Sequence, residues 1–360
     1  MKVLKVKTKS PYEILIREGL LEEIPENLKN LNFGKIAIIT DTVVEQLYAQ
    51  KLCQDFFKKN IRAEIFSFPA GETSKNMDTV ISLARKMIQK NFDRKDLILA
   101  LGGGVVGDVA GFLASIYLRG VPYIQIPTTL LAQVDASIGG KTGVDLPEGK
   151  NLIGTFYQPL KVYIDPLVLR SLPKSEIKNG LAEVIKYGCI LKRKLFYFLK
   201  KRGEKIYELK PKDLEYIIFE SCSAKAYIVS KDEKEAGLRR ILNFGHTIGH
   251  AIETELNYKI PHGLAVSVGM AVAAKLSEEI NLAQEKVFTP LKELLTALDM
   301  PYKLSQISQE INPESIIFHI QKDKKVWKGS LTMILLKRIG EAYFLENPPF
   351  EIIKSVLSEN

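Results

Sequence analysis

The sequence predicts an α/β domain built on a mostly parallel sheet, followed by an all-α domain that carries a small β-hairpin. Three observations lead there. In the first half, short apolar runs alternate with amphipathic helical patterns, the spacing of parallel strands joined by crossover helices. Past Pro173 the patterns become helical. A chain of 360 residues also exceeds the size at which one core keeps growing, so two domains are expected, divided near residue 170.

The elements follow in order. "MKVLKVKTKSPYEILIREG" alternates Lys with apolar residues and reads as a strand, without the unbroken apolar core of a signal peptide. "KIAIIT" is a strand ending at Asp41, and "IRAEIFSF" is a second. "PAGETSKNMDTVISLARKMIQK" supplies a turn and a helix, and "DLILAL" is a third strand. A helix follows to about Leu118, and "VPYIQIPTT" is the fourth strand. Ligands of such sheets bind outside the carboxyl ends of the strands, which places Asp41, Glu72, Thr128 and Thr129 at one rim. In the second half, "EIKNGLAEVIKYGCIL", "KDLEYIIFESCSAKAYIVS" and "LAVSVGMAVAAKLSEE" read as helices. "DKKVWKGSLTMILLKRIGEAYFLE" reads as a Lys-bearing loop and a hairpin, and "FEIIKSVLSE" as a closing helix.

Gly102, Gly104 and Gly107 satisfy GxGxxG, and the motif follows a strand and opens a helix, so backbone N–H groups are able to approach a pyrophosphate. It follows the third strand rather than the first, and no acid closes the next strand about 20 residues on. The reading is a nucleotide loop of non-standard wiring; the competing one is a glycine turn of structural use only. The next stretch, "QIPTTLLAQVDASIGGKTGVDLPEGKNLIG", reads as a functional loop dense in Asp135, Gly139, Gly140, Lys141, Lys150 and Asn151, whose two lysines suit phosphate.

Composition narrows the class. The chain is 46% hydrophobic and 26% charged, as globular proteins are. The longest apolar tract is broken by glycines and Asp108, against a membrane span. Cys53, Cys189 and Cys222 are scattered, which suits reduced thiols in the cytoplasm. The net charge of +9 is spread among acids without a basic stripe or stacking aromatics, so no nucleic-acid partner is expected.

Three of the four histidines lie in "LRRILNFGHTIGHAIETELNYKIPHG". His246 and His250 share a helix face, and His262 begins a new segment after a proline. Catalytic metal sites commonly take three protein ligands and leave a position open. A lone HxxxH is more often two unrelated histidines, and Thr247 stands where a zincin has Glu. Arg239, Arg240 and Asn243 lie one to two turns upstream, so the stretch suggests a metal site beside an anion site.

Taken together, "GGGVVGDVAGFLASIYLRG", "QIPTTLLAQVDASIGGKTGVD", "GKNLIGTFYQP", "NGLAEVIKYG", "LNFGHTIGHAIE", "HGLAVSVGM" and "DKK" resemble the 3-dehydroquinate synthase family, in the family's order, from about Glu72 to Lys325. Glycerol dehydrogenases and iron-dependent alcohol dehydrogenases share the architecture but not "VDASIGGKT" or "LNFGHTIGH". The resemblance implies a Rossmann-like NAD-binding domain over 1–170 and a helical metal- and substrate-binding domain over 171–360. The site would lie in the cleft between them. It implies Glu183, His246 and His262 as ligands of zinc or cobalt. Glu183 and Lys186 share a helix face in an apolar setting, where a buried charge needs a partner or a metal. Asp41, Glu72, Lys75, Gly103, Gly104 and Val105 match NAD-contacting positions, as do Asp108, Thr128, Thr129, Lys141 and Lys150. Ser171, in "RSLP", stands where the family more often has Thr before Leu-Pro, and keeps the hydroxyl.

The implied reaction converts 3-deoxy-D-arabino-heptulosonate 7-phosphate to 3-dehydroquinate and phosphate. It runs by NAD-mediated transient oxidation, phosphate elimination, re-reduction and intramolecular aldol closure, in aromatic amino acid biosynthesis. Lys225, Arg239 and Asn243 are the candidates for the substrate carboxylate. Lys141, Asn151, His250 and either Lys324 or Lys325 are those for its phosphate. His250 or a relayed water is the base for the C5 proton, and Glu235, Lys186 and Asp135 complete the catalytic group. Arg119 is a position that reaches into a neighbouring subunit's site in the family, implying a homodimer. Cyclases that make inosose or valiolone rings act on substrates without the carboxylate, and Arg239 and Lys225 argue against them. An NAD-dependent polyol dehydrogenase and a catalytically silent NAD- or metal-binding protein are the remaining alternatives; the intact Glu183, His246, His250 and His262 argue against the second.

Overall fold

The computed structural model describes residues 1–29, 31–309, 311–326 and 331–359, with the side chains of 323–326 excepted. The chain divides into two compact units, Met1–Leu172 with Leu214–Lys234, and Pro173–Asp213 with Glu235–Asn360. The sequence reading ran one uninterrupted helical domain from 171 to the end. The structure instead returns the segment Leu214–Lys234, most of the helix Pro211–Lys231, to the first unit.

In the first unit, β1 (Lys2–Val6), β2 (Tyr12–Ile16), β3 (Ile36–Asp41), β4 (Ala63–Phe68), β5 (Leu97–Gly102), β6 (Tyr123–Pro127) and β9 (Lys161–Ile164) form one sheet. Their order is β1-β2-β9-β6-β5-β3-β4. Every pair is parallel except β1 with β2. The N-terminal stretch that reads as one strand is thus an antiparallel pair. Both faces of the parallel strands are covered, which is why "LILALG" of β5 is buried throughout and reads as an unbroken apolar run. One face packs on Val80, Leu83 and Met87 of the helix Met77–Gln89 and on Val109 and Leu113 of the helix Gly104–Ile116. The other packs on Leu20 and Ile24 of the helix Leu20–Lys29, and on Leu52 and Phe56 of the helix Gln50–Lys58. The strand order reverses between β3 and β5, so the crevice at that switch point is framed by Asp41 and the loop after Gly102.

A second departure lies at "KTGVDLPEGKNLIGTF". The sequence reads as a loop, yet β7 (Lys141–Leu146) and β8 (Gly149–Phe156) form an antiparallel hairpin. Glycine hides it, because the strands approach too closely for side chains. A Cβ on Gly154 would lie 2.2 Å from the Thr142 carbonyl oxygen.

The second unit is mainly helical: Lys174–Ile190, Arg193–Arg202, His246–Glu255, His262–Glu279, Phe288–Ala297, Pro313–Val326 and Phe350–Glu359. It carries the hairpin β10 (Thr332–Arg338) and β11 (Glu341–Glu346). The expected Lys-bearing loop is corrected here, since Lys324 and Lys325 fall in the last turn of the helix Pro313–Val326. Their side chains lie outside the described residues.

Gly154→Ala is expected to lower the unfolding midpoint, with a destabilisation of about 1–3 kcal/mol from overpacking. Gly149→Ala should be close to neutral, because its Cβ would meet only Leu152 Cδ1 at 3.4 Å. Thermal melts followed by circular dichroism compare the two.

Candidate active site

At the rim of the first unit's sheet, Asp41 ends β3 and caps the following helix, its Oδ1 accepting from Val43 N and Val44 N, each at 2.9 Å. That fixes the carboxylate beside the switch point. The helix Gly104–Ile116 begins straight after β5, and its first turn points N–H groups at the same rim. Its glycines differ in their use. A Cβ on Gly107 would meet Gln125 Oε1 at 2.8 Å, so packing against β6 demands glycine there. A Cβ on Gly104 would find only Ala136 Cβ at 3.6 Å, an ordinary contact. The fold leaves room at Gly104, so glycine there suits close approach by a ligand. Gly103 N-caps this helix, and Val105 lies in its first turn. Thr128 N donates to Gly102 O at 2.9 Å, and Thr129 Oγ1 accepts from Ala132 N at 3.1 Å, tying the next strand's end to this loop.

Lys75 is 5% exposed, and its ammonium lies 2.6 Å from Asp108 Oδ2 and donates to Asn151 Oδ1 at 2.5 Å. Burial acts against its charge, but Asp108 outweighs burial and raises the Lys75 pKa. Burial raises the Asp108 carboxyl in turn, against the pull of Lys75. Asn151 adopts φ 57° and donates its N–H to Asp145 Oδ1 at 2.7 Å, so the β7–β8 turn is fastened to Lys75. Lys150 reaches Glu72 at 3.8 Å, and Lys141 is exposed at the start of β7. Ser171 is committed within the unit, its hydroxyl 2.6 Å from Tyr48 Oη and donating to Val168 O at 2.9 Å. Lys225, on the returning helix, is 6% exposed and pairs with Asp135, 2.9 Å to Oδ2 and 2.8 Å to the backbone oxygen. Arg119 stands in an exposed turn where Leu118, Arg119 and Gly120 have φ of 47°, 69° and 118°.

In the second unit three helices bring the histidine stretch to Glu183. His246 opens one helix, His262 opens another, and Glu183 lies within Lys174–Ile190. The approach is close: a Cβ on Gly269 would lie 2.0 Å from Gly245 O, and Gly263 N donates to Asn179 Oδ1 at 2.7 Å. Glu183 is 1% exposed and Lys186 2%, and the two form an ion pair. Nε2 of His246 lies 3.6 Å, and Nε2 of His262 3.7 Å, from Glu183 Oε1. Donor atoms of Glu183, His246 and His262 all fall within 4.8 Å of one another. Two imidazoles and a carboxylate at that spacing fit a divalent cation of the zinc type with a position left open. Each imidazole also has its Nδ1 engaged: His246 with Phe244 O and His262 with Glu253 Oε2, both at 3.2 Å. Glu253 escaped the sequence reading, although "HAIE" placed it seven residues past His246. His250 is exposed, its ring centroid 5.3 Å from His246 and 6.0 Å from His262. Arg239 is buried at 2% exposure in the turn Leu238–Asn243, Asn243 is exposed, and Glu235 is half-buried with φ 61°.

Burial first, then Lys186, holds His246 neutral well below the ordinary imidazole range. Burial also opposes a charged His262, but the hydrogen bonds it donates to Glu183 and Glu253 outweigh burial and raise its pKa from 6.5 to about 9. Because the folded value is the raised one, this proton stabilises the metal-free fold fully below pH 6.5 and the contribution is lost as pH rises through about 9. A cation must displace the proton, so affinity for Zn²⁺ is expected to climb between pH 6.5 and 9 and then level off. Calorimetric titration in buffers of different ionisation enthalpy reads the released proton; release that persists undiminished above pH 9 contradicts the assignment.

Residues 65–179 match the family described as 3-dehydroquinate synthase N-terminal, and residues 180–326 match 3-dehydroquinate synthase C-terminal. A 3-dehydroquinate synthase of Prochlorococcus marinus is 44% identical over 346 residues, 94% of each chain. Another, of Dictyoglomus thermophilum, is 44% identical over 354 residues, 96% of this chain and 95% of its own. Among solved structures, a 2-deoxy-scyllo-inosose synthase complexed with carbaglucose-6-phosphate, NAD⁺ and Co²⁺ superimposes with a TM-score of 0.90 at 30% identity, covering 100% of both chains. A 2-epi-5-epi-valiolone synthase of Streptomyces hygroscopicus with NAD⁺ and Zn²⁺ bound gives 0.89 at 28%, covering 100% of this chain and 99% of that one. The sugar-ring cyclases thus share the fold, while the relatives closer in sequence share the name that the motifs pointed to. The chain belongs to the 3-dehydroquinate synthase family.

Proposed function

We propose that the chain converts 3-deoxy-D-arabino-heptulosonate 7-phosphate to 3-dehydroquinate and phosphate, with NAD and one divalent cation, zinc or cobalt. The observation that carries this reading is the convergence of Glu183, His246 and His262 donor atoms in a chain of this family. When bound, NAD⁺ takes up and returns a hydride, and the cation lowers the pKa of the hydroxyl being oxidised. The protein's own residues do the rest. Asp41, Glu72, Lys75, Asp108 and Lys150, with the first turn from Gly103 to Val105, form the dinucleotide's seat, and Thr128, Thr129 and Ser171 close its border. The Lys75–Asp108–Asn151 cluster keeps that seat rigid.

Lys225, Arg239 and Asn243 take the substrate carboxylate, with Asp135 orienting Lys225. Lys141, Asn151, His250 and a lysine of the Pro313–Val326 helix, Lys324 or Lys325, take the phosphate. His250, the exposed imidazole beside His246 and His262, moves the C5 proton directly or through a water. Lys186 pairs with Glu183 and holds it in place, and Glu235, in its constrained turn, completes the catalytic group. Elimination draws on the substrate's own phosphate as base, so the protein's task there is orientation.

The working unit is a homodimer in the cytoplasm. Arg119 projects from a turn flanked by exposed Ile116 and Leu118, the kind of apolar surface a second copy covers. Among the described residues no helix is long and apolar enough to cross a membrane, and the three cysteines are free thiols.

Phosphate release from the heptulosonate phosphate, with catalytic NAD⁺ and Co²⁺, tests the reading. Turnover that a chelator does not touch, or turnover only with glucose 6-phosphate or sedoheptulose 7-phosphate, contradicts it. His246→Ala should abolish cation-supported release, whereas Arg239→Ala should chiefly raise KM. Gly104→Ala should fold, given the room around its Cβ, yet weaken NAD⁺ binding at least tenfold by calorimetry; unchanged NAD⁺ affinity removes that helix terminus from the seat.

A further inference from the structure

We infer that Glu253 is a positioning residue for the cation: it fixes the ring of His262 so that Nε2, and not Nδ1, is the ligating nitrogen. The inference rests on the assignment of Glu183, His246 and His262 as ligands. It adds a residue that neither the motifs nor the family resemblance singled out.

The geometry is specific. Glu253 is 3% exposed and lies on the helix His246–Glu255, seven residues past His246. Its Oε2 stands 3.2 Å from His262 Nδ1, while Nε2 of the same ring faces Glu183 Oε1 at 3.7 Å. A neutral imidazole has one N–H and one lone pair. If Nδ1–H donates to Glu253, the lone pair is on Nε2, aimed at Glu183 and His246. His246 has the same arrangement with a different acceptor, since its Nδ1 lies 3.2 Å from the Phe244 carbonyl oxygen. One histidine is oriented by backbone and the other by a buried carboxylate, and a carboxylate also makes its imidazole a more basic ligand.

A second grouping shows what this contact excludes. Donor atoms of His250, Glu253 and His262 also fall within 4.8 Å of one another. Bound through Nδ1, the nitrogen 3.2 Å from Glu253 Oε2, a cation there would need the lone pair on that atom and would take Glu253 as a ligand. That arrangement and the first require opposite tautomers of His262, so one ring cannot serve both. Buried Glu183, shared by both Nε2 atoms, favours the first.

The test is Co²⁺ titration of the metal-free full-length protein, read by the visible absorption of bound cobalt, and it needs no turnover. Glu253→Ala is expected to weaken Co²⁺ binding about 10–100-fold, the usual cost of losing such a partner. Glu253→Gln, which keeps an acceptor oxygen, should restore most of it. If both variants bind Co²⁺ as the wild type does while His262→Ala does not, the positioning role is overturned and the ligand assignment stands. If His262→Ala binds normally, the ligand assignment fails and the proposal with it. A measurement on the wild type covers the case of a variant that does not fold. Nitrogen-15 spectra of the Zn²⁺-loaded protein should show the His262 proton on Nδ1, and a proton on Nε2 overturns the proposal.

Discussion

A carboxylate buried to 1% exposure governs the helical unit. Taking an isolated charge out of water costs several kcal/mol, and the cost is tolerable only if partners surround it. Glu183 has the Lys186 ammonium on one oxygen and two imidazole nitrogens near the other. Removing one partner of such a pair typically costs about 3–5 kcal/mol, because the remaining charge is left uncompensated. The helices that supply those partners must therefore meet closely. Gly245 and Gly269 allow the His246 and His262 helices to touch backbone to backbone, and Asn179 grips Gly263 from the Glu183 helix. The glycines of "FGHTIGH" and "VSVGM" are packing devices that put the chemistry in place.

The α/β unit solves a related problem with other means. Its charges sit where the sheet order reverses, and backbone donors at a helix start supply much of the polarity. Lys75 and Asp108 are held as a pair, and Asn151 locks the hairpin turn to them. A preorganised cluster of this kind would present a fixed surface to a ligand, so binding there would lose little to side-chain ordering. The cluster is stiff because its polar groups already satisfy one another.

Much of this was legible in the chain. Period and length found the parallel strands β3, β4, β5 and β6, because a strand covered on both faces is apolar throughout, and the helices Lys174–Ile190, Pro211–Lys231, His262–Glu279 and Phe350–Glu359. Clustered histidines pointed to the stretch whose His246 and His262 converge with Glu183. What escaped had a physical cause in each case. The β7–β8 hairpin has no alternating apolar face, since Gly143 and Gly154 replace side chains where its strands press together. The return of Leu214–Lys234 to the first unit depends on long-range contacts such as Lys225 with Asp135 and Cys222 with the Gln133 carbonyl, which local pattern does not encode. Nothing in the local sequence marks Glu253; only the packing of a second helix brings it against His262. Lys324 and Lys325 looked like loop because their helix ends in a run of charge.

The groups around Glu183, His246 and His262 also explain why a proton and a cation would compete there. The carboxyl groups of Glu183 and Glu253 both face His262, and the Lys186 ammonium pairs with Glu183, all of them buried or half-buried. Burial opposes a charge on His262, but its hydrogen bonds to these two carboxyl groups outweigh burial and lift its pKa to about 9. A divalent cation held by Glu183, His246 and His262 would replace that proton with a larger positive charge, and would thereby draw an anionic substrate and an oxygen that gains negative charge as its hydroxyl loses a proton. On the proposed assignment, the same buried carboxyl groups that hold the proton on His262 would favour a cation in its place.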